Sequence, residues 1–464
     1  MNEPRRWSEL AGLLEPALER LGRGFAGLPE SEAAVGPVAR QALEAVLSEV
    51  ADRLGDNYPY FHPLYAGQML KPPHPVAQAA YALAMTLNPN NHARDGGRAS
   101  SEMELEAVAG IAQMYGWGRE GFLGHLTSGG TFANLEALWV AGQLVPGGRV
   151  VASAQAHYTH QRISGVLGIP FREVAADGRG GMDLNALEAE LRRGEVGTVV
   201  ATLGTTALGA VDPLAEILEL RERYGFRVHV DAAYGGYFRL ISGVLDAPAR
   251  RAFEAMSRAD SIVIDPHKHG LQPYGCGCVL FRDASVGRFY KHDSPYTYFT
   301  SGELHLGEIS LECSRAGASA VALWATERLL PLVRLGEAGD EFARGLAAGR
   351  RAALELDGRL RGDDRFEALP GGPELDIVVW RVRAGSAAES SRRAQEVFEA
   401  AARQDLHLAL VQLPEAFFAV HGAREDAGGM VTCLRSVLMK PEHEGWLDAI
   451  WERLRAAADV ERSG

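Results

Sequence analysis

The chain has 464 residues, 47% of them hydrophobic and 23% charged, with a formal net charge of −13. That length exceeds what a single core usually supports, so two or more lobes are expected. The acidic balance argues against nucleic acid or an anionic membrane as a partner, since both demand a basic face.

The first residues, Met-Asn-Glu-Pro-Arg-Arg-Trp, lack the apolar run of a signal peptide, and no stretch reaches the length of a membrane span. Four cysteines, two of them in Cys276-Gly-Cys278, cannot build a disulfide framework and lack Cys-x-x-Cys spacing. A cytoplasmic protein without a metal is expected.

From Trp7 to about Leu54 apolar residues such as Leu10, Leu13, Leu14, Ala17, Leu18 and Leu21 recur at helical spacing, with a second helical stretch over about 38–50. Such amphipathic helices must cover a surface, on their own subunit or on another. Tyr58-Pro-Tyr-Phe-His-Pro-Leu-Tyr65 and Lys71-Pro-Pro-His-Pro75 hold too many prolines for regular helix or central strand, so an ordered loop is expected. Asn88-Pro-Asn-Asn91 signals a turn, and residues 102–115 read as an amphipathic helix.

Between about 121 and 283, β-branched runs at 149–152, 198–203, 227–230, 261–264 and 279–281 alternate with helical patterns. Alternation of this kind predicts a mainly parallel sheet covered by helices on both faces. Asp212-Pro213 reads as the cap and first-turn proline of one helix closed by Gly225, and Asp183 as the cap of another. After about residue 336 the composition turns Arg/Ala/Glu-rich, with strands expected at 376–382, 407–411 and 430–434 and a last helix over 442–458. This reads as a separate α+β lobe.

The chemistry concentrates in four places. Lys268 lies between two apolar runs in Ser261-Ile-Val-Ile-Asp-Pro-His-Lys268, where a partly desolvated amine could condense with a carbonyl. Asp231 ends the strand in His229-Val-Asp-Ala-Ala-Tyr-Gly-Gly236 and could keep a pyridinium nitrogen protonated. Thr127-Ser-Gly-Gly-Thr-Phe-Ala-Asn-Leu135 opens a helix with glycines and hydroxyls, an arrangement that offers backbone N–H groups to a phosphate. His157, in Ala156-His-Tyr-Thr159, follows another strand and could stack on an aromatic ring. With Thr205 and Thr206, these residues all fall just past predicted strands, the edge at which open α/β sheets bind ligands.

These segments, with Gly204-Thr-Thr-Ala-Leu-Gly-Ala-Val-Asp-Pro213, occur in an order that resembles the group II pyridoxal-phosphate (PLP) dependent amino-acid decarboxylases, from roughly Tyr60 to Trp324. The resemblance implies an α/β fold of the aspartate-aminotransferase type (PLP fold type I). It divides the chain into an N-terminal helical segment at the dimer interface (1–90), a large PLP-binding domain with a mainly parallel sheet (91–335) and a small α+β domain (336–464). It implies Lys268 as the Schiff-base lysine, Asp231 on the pyridine nitrogen, and His157 and Ala233 on the two ring faces. Gly130, Thr131 and His267 are implied for the phosphate, with Thr206 near the ring or Asp231.

Tyr65 and Gln68 match a loop that lines the substrate pocket in that family, and Arg315 is either a substrate residue or a structural one. Residues 293–303 read as a mobile loop, and the resemblance implies that Tyr296 or Tyr298 in it donates a proton across a homodimer with shared active sites. The expected reaction converts an L-amino acid to its amine and CO2, with tyrosine as the leading substrate and aspartate or glutamate as alternatives. Another PLP reaction, carbon–carbon cleavage or transamination, is the competing reading, and an inert scaffold the third. One departure stands out: His269 follows Lys268 where the family usually has an aromatic residue.

Overall fold

The computed structural model describes residues 3–29, 40–92, 94–291, 310–334, 337–418 and 429–460. Its centre is a seven-stranded sheet of β1 (Leu123–Thr127), β2 (Arg149–Ser153), β3 (Phe171–Val174), β4 (Val196–Thr202), β5 (Arg227–Asp231), β6 (Ser261–Ile264) and β7 (Gly277–Phe281). They run in the order β1-β7-β6-β5-β4-β2-β3. The pairings from β3 across to β6 are parallel, while β7 is antiparallel to both β6 and β1. Val199, Val200, Val228, Val230, Ile262 and Ile264 are fully buried. Strands without a wet face are what a sheet covered on both sides requires.

The helices in chain order are α1 (Glu3–Arg23), α2 (Arg40–Leu54), α3 (Pro75–Met85), α4 (Arg94–Met114), α5 (Gly130–Leu144), α6 (Thr159–Leu167), α7 (Leu184–Leu191), α8 (Leu214–Tyr224), α9 (Ala247–Glu254), α10 (Gly317–Leu329), α11 (Asp340–Arg361), α12 (Ala387–Ala402) and α13 (His443–Val460). α5 packs on β6 and β7, and α4 on β1. A second, antiparallel sheet orders the strands Phe366–Ala368, Ile377–Val382, Met430–Val437 and Ala409–Pro414. The proline-rich loop is tied to it: the Ala66 amide donates to the His407 carbonyl (2.9 Å) and the Val437 amide to the Ala66 carbonyl (2.7 Å).

The five strands expected in the large sheet are present, with ends moved by one or two residues, and two more, β1 and β3, are added. Gly124 and His125 interrupt the apolar pattern of β1, and β3 is an edge strand exposing Arg172 and Glu173. Asp183 caps α7 as expected, accepting from the Asn185 and Ala186 amides. Asp212 does not cap α8. Its carboxylate turns inward and accepts from the Met182 and Thr202 amides, each at 2.7 Å, while burial pushes its pKa up to about 7. The helix limit that the sequence marks is right, but the buried amides of Met182 and of the last residue of β4 claim the side chain first.

Candidate active site

The carboxyl ends of β2, β4, β5 and β6 bound one cavity of about 550 Å³, together with the N-terminus of α5. Its lining includes Gly130, Thr131, His157, Thr206, Asp231, Ala233, His267 and Lys268, every cofactor residue expected from sequence.

Lys268 is carried by the turn between β6 and β7. The His267 amide donates to the Cys276 carbonyl and the Lys268 amide to the Asp265 carbonyl (2.9 Å), which winds Asp265 to Lys268 into a tight loop. Gly270 is needed because a Cβ there would sit 2.4 Å from the Tyr237 hydroxyl and 2.6 Å from Pro266 Cα. The Lys268 side chain is 23% exposed, and its Nζ lies 3.0 Å from Asp265 Oδ2. The amine is therefore not a lone buried cation but half of an ion pair, and Asp265 is a partner that the sequence reading did not name. Asp265 Oδ1 is buried without a hydrogen bond, an acceptor left over inside the cavity.

Asp231 closes β5 in a socket made of donors. Its Oδ2 accepts from His160 Nε2 at 2.8 Å and from Asn134 Nδ2 at 3.4 Å, and its Oδ1 from the Ala233 amide at 3.1 Å. Burial alone would raise its pKa, but the hydrogen bond from His160, the Ala233 amide and the charge of Lys268 outweigh that and hold the group well below the usual carboxylate range. It is a fixed anion. Behind it, Asn134 Oδ1 accepts from His229 Nε2 (2.8 Å), whose Nδ1 meets Ser261 Oγ (2.8 Å). Burial pushes the His229 pKa down to about 3, so that ring is neutral.

His157 Nδ1 accepts the Thr159 amide (3.3 Å) at the start of α6. An imidazole nitrogen that accepts is unprotonated, so the proton of the neutral ring resides on Nε2. Burial lowers its pKa and favours that neutral form. His267 donates from Nδ1 to the Cys276 carbonyl (2.8 Å) and lies against the Tyr274 ring, centroids 4.7 Å apart. At the α5 N-terminus, Gly130 has no room for a side chain: a Cβ would lie 2.6 Å from Asp265 Oδ2.

The remaining expected residues are more scattered. Gln68 lines a second hollow of about 380 Å³ that shares His157 and Thr206 with the main cavity and is otherwise walled by Ala154, Ala156, Leu410, Val411 and Arg435 among others. The Thr206 carbonyl accepts from Arg435 Nη2 (2.8 Å), and no side-chain hydrogen bond of Thr206 to Asp231 is formed. Arg435 also donates to the carbonyls of Ala207 and Gly67 and to Gln68 Oε1. Tyr65 lies outside both hollows, buried against Tyr60, Tyr58 and His407. Arg315 is also outside them, with Nη1 bonded to Glu104 and the Leu126 carbonyl and Nη2 to the Asn91 carbonyl. Its contacts are those of a structural tie between α4, β1 and the Asn88 turn. Tyr296 and Tyr298 lie outside the described residues.

A lysine opposite a fixed carboxylate, with an imidazole at the side and a helix N-terminus at the end, is the donor set of a pyridoxal-phosphate enzyme. Residues 59–383 match the pyridoxal-dependent decarboxylase conserved domain, and the chain belongs to that family. It is a PLP-dependent carboxy-lyase that acts on an amino acid.

Similar curated proteins include an L-tyrosine decarboxylase of Enterococcus faecium, 29% identical over 74% of this chain and 72% of that protein. A probable L-tyrosine/L-aspartate decarboxylase of Methanothermobacter thermautotrophicus is 30% identical over 71% of this chain and 86% of its own length. An L-2,4-diaminobutyrate decarboxylase of Acinetobacter baumannii is 29% identical, covering 69% and 67%. Among solved structures, Oryza sativa TDC with PLP and tryptamine superposes with a TM-score of 0.77 over 98% of both chains at 20% identity, a likeness of fold.

Proposed function

We propose that this cavity is the active site, with Lys268 as the covalent anchor of PLP, and that the substrate is an aromatic L-amino acid, tyrosine first. PLP when bound supplies an electron sink for the pair released as the carboxylate leaves Cα. The carrying observation is Asp231, a carboxylate surrounded by donors and therefore kept ionised opposite Lys268. It would hold the pyridine nitrogen in its protonated form through a charge-assisted bond.

His157, bearing its proton on Nε2, would stack on the ring and donate to the substrate carboxylate, while Ala233 offers a flat surface to the opposite face. Gly130, Thr131 and the free amides of the α5 N-terminus would receive the phosphate, with His267 beside them. Tyr296 or Tyr298 is proposed as the proton donor at Cα.

The aromatic preference rests on the second hollow. Its walls of Ala154, Ala156, Leu410 and Val411 suit a ring, and Gln68 beside Arg435 offers polar atoms to a phenol. An acidic side chain is the second reading, because Arg435 lines the same hollow. Arg435 already donates to four oxygens, so a carboxylate would have to displace bonds that a phenol leaves intact.

A homodimer is proposed because α2 buries none of its residues while Leu43, Val46, Leu47, Val50 and Leu54 form an exposed apolar stripe at helical spacing. Among the described residues no helix is long and apolar enough to cross a membrane. The test is incubation of the PLP-loaded protein with each L-amino acid, reading CO2 and the amine by mass. Tyramine from tyrosine is the expected product. Turnover of aspartate or glutamate alone would refute the aromatic assignment, and a 2-oxo acid without CO2 would refute decarboxylation.

A further inference from the structure

The turn that carries Lys268 has a second cavity on its other side. It measures about 230 Å³ and is lined in part by His269, the residue after Lys268, and by Lys71, Lys440, Glu341 and Glu442. Lys440 is 3% exposed, and its ammonium donates to the Tyr65 carbonyl at 2.6 Å. The Lys71 ammonium has one long bond, 3.4 Å, to the Met439 carbonyl. Among the described residues neither forms an ion pair. In a chain of net charge −13, two lysines without an ion pair lining one cavity, one of them over the Tyr65 ring at 5.2 Å, are an exception that calls for a counter-charge.

The backbone adds to the same sign. Three helices begin at this cavity: its lining includes His74, the cap of α3, Glu341 and Phe342 in the first turn of α11, and Pro441 and Glu442 just ahead of α13. Each contributes the positive end of a helix dipole. Glu341 and Glu442 are the opposing charges, but both side chains are exposed at the mouth, where solvent screens them. Asp376, which accepts from the Tyr234 hydroxyl at 2.6 Å, is the other acid whose charge reaches Lys71.

Burial pushes Lys71 down to about 8 and Lys440 down to about 7, the mark of cations without sufficient compensation. A bound anion would supply it.

We infer that the cavity between the proline-rich loop and the starts of α3, α11 and α13 binds a small oxyanion, of the inorganic phosphate class, on Lys71 and Lys440. This site is separate from the place at the α5 N-terminus that receives the phosphate of PLP. Because His269 lines it and directly follows Lys268, an occupant would steady the turn that holds the catalytic amine.

The experiment uses the holoenzyme, in which the cofactor already fills the other phosphate place. Thermal unfolding is followed at pH 7 with inorganic phosphate or with sodium chloride at matched ionic strength. Phosphate should raise the midpoint by roughly 2 to 4 °C beyond chloride at saturation. In Lys71→Met the rise should vanish, with the PLP absorption band unchanged. Equilibrium dialysis of the wild-type holoenzyme against radiolabelled phosphate should find one exchangeable phosphate per chain. An equal shift in Lys71→Met, or no phosphate retained on dialysis, would overturn the inference, and the dialysis result stands even if the variant fails to fold.

Discussion

Asp231→Asn removes one charge and exchanges one acceptor atom for a donor, in a socket where all three protein partners are donors: His160 Nε2, Asn134 Nδ2 and the Ala233 amide. Whichever way the amide is turned, its NH2 faces another N–H. The hydrogen bond from His160 to a charged acceptor contributes about 1.5–3 kcal/mol, and leaving a buried donor unmatched costs about 1–3 kcal/mol.

One retreat exists. His160 Nδ1 is buried without a partner, so the ring proton could move there and let Nε2 accept, but this buries an unpaired N–H at a cost of the same order. A loss of about 3 kcal/mol in the stability of the cofactor-free protein is expected, measured by urea unfolding. Single-turnover CO2 release should fall at least about 100-fold, because a group that stabilises developing charge has been removed. A variant within about 1 kcal/mol of the wild type in stability and within tenfold in rate would refute the donor socket and the role drawn from it.

Lys268→Ala should lose the cofactor adduct that borohydride otherwise fixes to the chain, read by intact mass; a reducible adduct in the variant would remove Lys268 from its role. Gly130→Ala places a methyl 2.6 Å from Asp265 Oδ2, and should weaken PLP binding at least about tenfold by equilibrium dialysis, without loss of helix content by circular dichroism. Of Tyr296→Phe and Tyr298→Phe, one should slow amine formation while both bind PLP normally; full activity in both would exclude this pair as the proton source. Lys440 titrates near 7 when folded and at 10.5 when unfolded, so between those pH values the unfolded chain holds a proton that the folded one has released. Stability in phosphate-free buffer should therefore rise with pH across this window and be lowest below pH 7. Lys440→Met should flatten that slope, and an unchanged slope would count against a desolvated lysine.

How far the sequence discloses the site depends on where each residue's signal lies. Lys268, Asp231 and His157 stand out in the sequence because each lies at or just past the carboxyl end of an apolar strand pattern, and a parallel sheet gathers such ends on one edge. His160 and Asn134 carry no such mark. They sit inside helices α6 and α5, where a polar residue ordinarily faces water, and only the packing of both helices around β5 turns them toward Asp231. His160 lies one turn after His157, a spacing that could have flagged it.

Arg435 reads as one polar residue in a buried strand, and nothing local says that its partners come from residues 67 and 207. Tyr65 runs the other way: an aromatic residue near a matching segment invites a binding role, whereas its described contacts are those of packing. Arg315, open in sequence between a substrate and a structural role, makes the contacts of the second.

The guanidinium of Arg435 also bears on mechanics. From one strand of the small sheet it grips the Thr206–Ala207 segment at the rim of the large sheet and Gly67–Gln68 in the proline-rich loop. A hinge rotation of one sheet against the other would have to break the two bonds to Thr206 and Ala207, so Arg435 stiffens the frame that the two sheets form. Solution scattering should accordingly give the same radius of gyration with and without cofactor and substrate analogue, and whatever admits the amino acid must move at the edge of that frame rather than bend it.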